Sequence, residues 1–391
     1  MSADASPESI DLILNVDAIT PPLSGIGRYA LQLASGVREH SAIGDVRYFS
    51  AYKWIEDPRS ALAANRGIAG LRRYVPAKSA AMQAYFALRQ RMFGRLARKL
   101  DGYVLHSPNY LLFEHAGPRV CTVHDLSWLH YPGYHPAERV RIMHRCMPRT
   151  LEIADTVITD SEFVRREVIQ TFAFDPARVH AVALGVDESF RPHAASETQA
   201  AMAAFGLRHE GYLLALATLE PRKNLERLLD AYERLDGGLR RRYPLVLAGA
   251  TGWHANRLVG RIDALAAREQ AQRLGYVAED MLPQLVAGAR ALAFPSVYEG
   301  FGLPPLEAMA SGVPVVASMA SSIPEVTADA ALLVPPDDTV RLAAALERAL
   351  IDGTWRDNAR ARGTARAREF TWRRCVDATV GIYRNVAAAR R

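Results

Sequence analysis

Twelve short apolar runs separated by amphipathic stretches leave this chain few folds to adopt. Residues 12–19, 46–52, 103–106, 119–124, 156–159 and 179–184 form one series, and residues 212–217, 245–248, 272–276, 291–294, 313–317 and 331–334 form another. Each run is strand-sized, and the intervening segments carry helical periodicity, the pattern of a parallel sheet covered by helices on both faces. A polar, alanine-rich stretch at 191–207 breaks the rhythm between the series. The chain therefore reads as α/β, with two Rossmann-like, doubly wound domains: 1–190, a connection at 191–209, 210–370, and a closing helical segment at 371–391. The length of 391 residues agrees, since it gives about 190 residues per domain, a common size for one core. Ligands of such sheets bind beyond the carboxyl ends of the strands, so two facing sheets are expected to enclose a cleft.

The loops that leave those strand ends carry the chemistry. Residues 295–317 read Pro-Ser-Val-Tyr-Glu-Gly-Phe-Gly-Leu-Pro-Pro-Leu-Glu-Ala-Met-Ala-Ser-Gly-Val-Pro-Val-Val-Ala. A strand ends, a glycine turn follows, and Pro304 or Pro305 suits the first turn of a helix that Gly312 stops. Gly300 and Gly302 leave the backbone bare, so the N–H groups from Phe301 to Leu303 can meet an anion together with the positive end of that helix. Glu299 and Glu307 flank the turn. Alone, such a pair is also what a turn residue and a helix-terminal carboxylate look like. After the strand at 212–217, Thr218-Leu219-Glu220-Pro221-Arg222-Lys223-Asn224 places two cations where a loop becomes a helix. Cations are unfavourable near a positive helix end, and they suit the charge that develops on a departing diphosphate.

The first strand leads into Pro21-Pro22-Leu23-Ser24-Gly25-Ile26-Gly27-Arg28-Tyr29-Ala30. Gly25, Gly27 and Ala30 imitate a dinucleotide fingerprint, but the approach loop is too long for the tight turn, and no acidic residue stands near Tyr52 to take a ribose. His124-Asp125 closes another strand; a lone histidine there is commonly structural. Asp160-Ser161-Glu162 reads as a helix cap with a supporting role.

These motifs, in this order and over nearly the whole chain, resemble the retaining glycosyltransferases of family 4. The resemblance implies the GT-B architecture, with the segment after Phe370-Thr371-Trp372 crossing back onto the first domain. It also implies a division of labour among the site residues. Arg222 and Lys223 hold the donor diphosphate with the turn of Gly300, Phe301, Gly302 and Leu303; Glu307 takes the ribose, and Glu299 and His124 meet the sugar. Thr218 and the Val277 backbone lie on the donor side, the latter at the base, and Gly25 and Gly27 approach the phosphates or the acceptor. The opening segment 14–29 looks most like the bacterial mannosyl- and D-rhamnosyltransferases that use GDP-sugars and lipid-linked saccharides to build lipopolysaccharide O-chains. A UDP-sugar-dependent member, an epimerase or phosphorylase, and a non-catalytic scaffold on the same fold are the rival readings. No Asp-X-Asp motif and no clustered His or Cys ligands occur, so the two cations are expected to stand where a divalent metal acts elsewhere, with no metal and no cofactor required.

Composition bounds the setting. Hydrophobic content of 49% suits a soluble globular protein, the first ten residues are polar or acidic, and no apolar run approaches the roughly 18–20 residues of a membrane span. The three cysteines, Cys121, Cys146 and Cys375, are widely spaced, so a reducing cytoplasm is the expected location. Net charge is +6 but uneven: between Arg59 and Lys99 lie ten basic residues and no acidic one. Interleaved aromatics make residues 59–99 a segment that can rest on anionic lipid at the inner face of the membrane, or simply a solvated helix face. Nucleic acid is the weaker partner because no recognition module accompanies the charge.

Overall fold

The computed structural model describes residues 9–63, 79–253 and 255–390. They fall into two compact units, one drawn from 1–129, 137–185 and 372–391, the other from 130–136 and 186–371.

In the first unit the strands are β1 (Ile10–Asn15), β2 (Ile43–Ser50), β3 (Lys53–Ile55), β4 (Val104–Ser107), β5 (Arg119–Val123), β6 (Thr156–Thr159) and β7 (Val179–Ala181), in the spatial order β3-β2-β1-β4-β5-β6-β7. All neighbours are parallel except β2 and β3. The uniformly parallel sheet expected from the sequence is thus corrected at one edge. β3 has only three residues, and Ala51, at φ 57°, makes the turn before it without the glycine or asparagine that usually announces a hairpin. Asp17 secures that turn: its Oδ1 accepts the Ala51 N–H at 2.7 Å.

Strands β8 (Leu213–Leu216), β9 (Leu245–Ala248), β10 (Ala271–Gly275), β11 (Ala291–Phe294), β12 (Val315–Ser318) and β13 (Ala331–Val334) form the second sheet, ordered β10-β9-β8-β11-β12-β13 and parallel throughout. Every residue of β9, β11 and β12 is buried, as a parallel sheet covered on both faces requires. Both sheets start in the middle and wind outward both ways, which leaves a switch point between β1 and β4 in one and between β8 and β11 in the other. Residues 191–209 contain a helix, Ala195–Phe205, that belongs to the second unit; Met202 on it packs so tightly on Gly288 that a Cβ there would lie 2.9 Å from its sulfur.

The basic stretch is not uniformly a surface face. Arg66, Arg72, Arg73 and Lys78 lie outside the described residues. Arg89, on the helix Ser79–Leu96, is buried, ion-paired with Asp17, and donates from Nε to the Ala51 carbonyl at 3.2 Å, with its guanidinium 5.1 Å from the Phe113 ring centre. It is a core cation that holds the ends of β1 and β2 together.

The helix Trp372–Ala389 completes the first unit by lying on the helix Gly25–Glu39. Gly36 permits the approach, since a Cβ there would stand 2.5 Å from Val376 Cγ2. Further along, the Tyr383 hydroxyl meets His106 Nδ1 at 2.6 Å inside the core. Burial first, and the charge of His124 second, lower the His106 pKa to about 3, so this imidazole is neutral. Gly36→Ala is expected to destabilise the protein by about 1–3 kcal/mol in urea unfolding, and Val376→Ala in the same chain should recover part of that loss.

Candidate functional site

The loops after β8 and β11 leave adjacent strands at the switch point of the second unit, where an open α/β sheet offers a crevice. After β8 the chain passes Thr218, which is half-buried, and makes one tight turn, Pro221–Lys223. Asn224 follows in the left-handed region at φ 56° and caps the turn. Its side-chain amide donates to the Pro295 carbonyl at 3.1 Å and to the Pro336 carbonyl at 2.7 Å, tying this loop to the exits of β11 and β13. On the neighbouring side Gly249, at φ 143°, has no room for a side chain: a Cβ would fall 2.1 Å from the Ala217 carbonyl.

This turn aims Arg222 and Lys223 at the loop after β11. Arg222 Nη1 donates to the Tyr298 carbonyl at 2.9 Å and to Glu299 Oε2 at 3.0 Å, while its Nη2 donates to Glu220 Oε1 at 3.0 Å. Lys223 Nζ reaches Glu299 Oε1 at 2.6 Å and lies 5.6 Å from the Phe294 ring centre. Burial raises the Glu299 pKa, but the charges of Lys223 and Arg222 outweigh it, so the carboxyl sits below its usual range. Lys223 is lowered in turn, by burial and then by Arg222, with Glu299 opposing. The Glu299 backbone is fixed from both ends, its N–H on Ser321 Oγ at 2.8 Å and its carbonyl under the Ser322 hydroxyl at 2.9 Å.

The glycine turn and helix follow as expected. Gly302 takes φ 120°, outside the reach of other residues, and precedes the helix Leu303–Ala310, whose second and third residues are Pro304 and Pro305. Phe301 is buried edge-on to Phe370, with ring centres 5.8 Å apart. Glu307 is the fifth helical residue, one turn in, and is buried. Val277 is buried just beyond β10, whose last residue, Gly275, has φ 70°. Gly300 continues the loop directly after Glu299. The sequence reading placed residues 130–136 in the first domain, within 1–190, yet they belong to this unit. Tyr131 packs 5.6 Å from Tyr298 by ring centres, and Trp253 Nε1 donates to the Tyr134 carbonyl at 2.5 Å.

Gly25, Gly27 and His124 lie in the first unit. Ser24 caps the helix Gly25–Glu39 by accepting the Gly27 N–H at 3.1 Å, so both glycines sit in its first turn rather than in a loop. A Cβ at Gly27 would be 3.0 Å from the Ala18 carbonyl. Tyr29 on this helix stands edge-on to His124 at 5.3 Å, which brings the glycine segment and the histidine together. Both nitrogens of His124 are engaged, Nδ1 with Asp160 Oδ2 at 2.7 Å and Nε2 with the Pro108 carbonyl at 3.0 Å. The carbonyl can only accept, so Nε2 carries a hydrogen, and the close approach of Nδ1 to the carboxyl requires one proton between them. Burial disfavours charge on this ring, but Asp160 and the Pro108 carbonyl more than offset it and raise its pKa. Burial likewise raises the Asp160 carboxyl, against the pull of His124. Ser161 is the cap residue, accepting the Val164 N–H at 3.3 Å, while Asp160 is turned to His124. The available signal was a carboxylate closing a fully buried strand.

A sequence profile described as Glycosyltransferase Family 4 matches residues 23–190, and one described as Glycosyl transferases group 1 matches residues 200–369. The chain belongs to the family 4 glycosyltransferases and is an enzyme of that kind. It is 36% identical over 381 residues to the O-antigen chain mannosyltransferase B of Escherichia coli, a match spanning 95% of this chain and 99% of that protein. The serotype-specific mannosyltransferase WbdA of Escherichia coli is 31% identical over 258 residues, covering 65% of this chain and 32% of WbdA. Among solved structures, WaaG, a glycosyltransferase involved in lipopolysaccharide biosynthesis, superposes with a TM-score of 0.72 at 16% identity, covering 95% of this chain and 99% of WaaG. Sucrose-phosphate synthase from Thermosynechococcus elongatus gives 0.75 at 22%, covering 97% and 100%. At those identities the likeness establishes the fold, which is GT-B.

The His124–Asp160 pair makes stability depend on pH. A histidine whose pKa is raised by folding contributes fully below its unfolded value, about 6.5, and loses that contribution as the pH climbs through the folded value. Asp160→Asn is expected to cost about 1–3 kcal/mol near neutral pH, with the gap to wild type narrowing as the pH rises. Urea unfolding of both proteins between about pH 6 and pH 9 measures this.

Proposed function

We propose that this glycosyltransferase moves a mannose-type hexose, mannose or D-rhamnose, from a GDP-sugar to a lipid-linked saccharide in O-antigen assembly, with retention of configuration and without a metal ion. The full-length similarity to an O-antigen chain mannosyltransferase carries the choice of sugar and pathway. Arg222 and Lys223 hold the diphosphate with the N–H groups of Phe301, Gly302 and Leu303, while Glu307 takes the ribose diol and the Val277 backbone the base. Glu299 takes sugar hydroxyls. As the bond from the sugar C1 to the diphosphate oxygen breaks, negative charge collects on the diphosphate, where fixed cations stabilise it more than they stabilise the ground state. The acceptor oxygen forms the new bond to C1 from the same face, and its proton passes to the departing phosphate. With its ring nitrogens occupied by Asp160 and Pro108, His124 acts through its backbone carbonyl.

A peripheral position at an anionic membrane fits the exposed Arg91, Arg95, Arg98 and Lys99. Arg95, Arg98 and Lys99 line, with Arg47 and Trp54, a cavity of about 360 Å³. No helix among the described residues is long and apolar enough to cross a membrane.

Labelled GDP-mannose, GDP-rhamnose and UDP-glucose offered with lipid-linked saccharide test the reading. GDP-mannose or GDP-rhamnose should donate, with the α-anomer preserved by NMR and the rate unchanged in EDTA. Arg222→Ala should lower kcat/KM by about 100- to 1000-fold. Transfer from UDP-glucose alone would refute the GDP assignment, and loss of activity in EDTA restored by a divalent metal would refute metal independence.

A further inference from the structure

The two cations assigned to the diphosphate already have a carboxylate between them. Glu299 spans Arg222 and Lys223, at 3.0 and 2.6 Å, and Glu220 takes the other guanidinium nitrogen at 3.0 Å. Two cations and two carboxylates leave the group with no net charge. None of the four side chains is more than 14% exposed, so solvent screens them little. A diphosphate entering this quartet would gain little from Arg222 and Lys223 while Glu299 held them, and would meet a buried carboxylate at close range.

Resting on the donor-site reading above, we infer that Glu299 occupies the diphosphate's place on Arg222 and Lys223 before the donor arrives, and that donor binding moves this carboxylate off the cations and onto the sugar hydroxyls. The backbone allows the exchange. Ser321 and Ser322 hold the Glu299 N–H and carbonyl, so only the side chain has to turn. Lys223 needs an anion in either state, because burial and Arg222 both work against its charge and Glu299 now supports it.

The exchange separates donor from product. An intact nucleotide-sugar displaces Glu299 and offers it hydroxyl donors in return. A free nucleoside diphosphate displaces it and offers nothing, which leaves a buried carboxylate without its two cations. The site therefore holds the spent nucleotide more weakly than its cations alone would, which favours its release after transfer.

Titration calorimetry with GDP and with UDP on wild type, Glu299→Gln and Arg222→Ala tests this. Glu299→Gln should bind the better of the two nucleotides about tenfold more tightly than wild type, about 1.4 kcal/mol, and Arg222→Ala at least about tenfold more weakly. If neither nucleotide binds wild type, or Arg222→Ala binds as wild type does, the donor-site reading itself fails. If Arg222→Ala weakens binding but Glu299→Gln leaves it unchanged or weaker, the donor site stands and the displacement is overturned. Should Glu299→Gln lack a cooperative melt, Glu299→Asp replaces it: one methylene shorter, it cannot span both cations, and it too should bind the nucleotide more tightly.

Discussion

The parallel pairing of Leu213 and Leu214 in β8 with Ala291 and Leu292 in β11 is the constraint from which the site follows. These strands lie side by side, but the sheet winds in opposite directions from them, so their exit loops part and leave a crevice. One loop supplies Arg222 and Lys223, the other Glu299. Asn224 converts proximity into rigidity: only a residue tolerant of the left-handed region, with an amide to spare, can cap the first loop and hold the carbonyls of Pro295 and Pro336 as well. The serines behind Glu299 do the same for the second loop. Preorganisation of this kind is what lets an electrostatic site work without rearranging solvent at the moment of reaction.

Much of this was legible in the sequence because hydrophobic periodicity reports burial directly. All twelve expected strands occur, with ends that shift by a few residues. β1 stops at Asn15 although Val16 and Ile19 are also buried, since apolarity marks what is inside and not where the ladder ends. β3 was illegible: three residues give no period, and the turn before it uses an alanine. Arg89 was misread for a related reason. A cation on a basic helix looks solvated until the fold brings Asp17 and a set of aromatic rings around it.

The site divides along the same line. Adjacent residues announce themselves, as Arg222 with Lys223 do, and so does the glycine turn with its prolines. Pairings across the chain do not: Glu299 lies 76 residues from Lys223, and Asp160 lies 36 from His124. The roles therefore looked separate, a carboxylate for hydroxyls and cations for phosphates, whereas the fold has joined them into one neutral cluster. A free-looking histidine likewise proved to share a proton with a carboxyl that the sequence offered as part of a cap.

The segmented make-up of the first unit bears on how the protein is made. Its last element, the helix Trp372–Ala389, places Val376 over Gly36 and hands the Tyr383 hydroxyl to His106. Nearly all of the second unit lies in one continuous stretch, 186–371, which leaves the ribosome before that helix does. During synthesis the later-encoded unit can therefore close first, while the earlier one waits with the groove beside Gly36 uncovered and His106 Nδ1 without the Tyr383 hydroxyl. The first unit thus cannot be completed until the domain encoded after most of it has been translated.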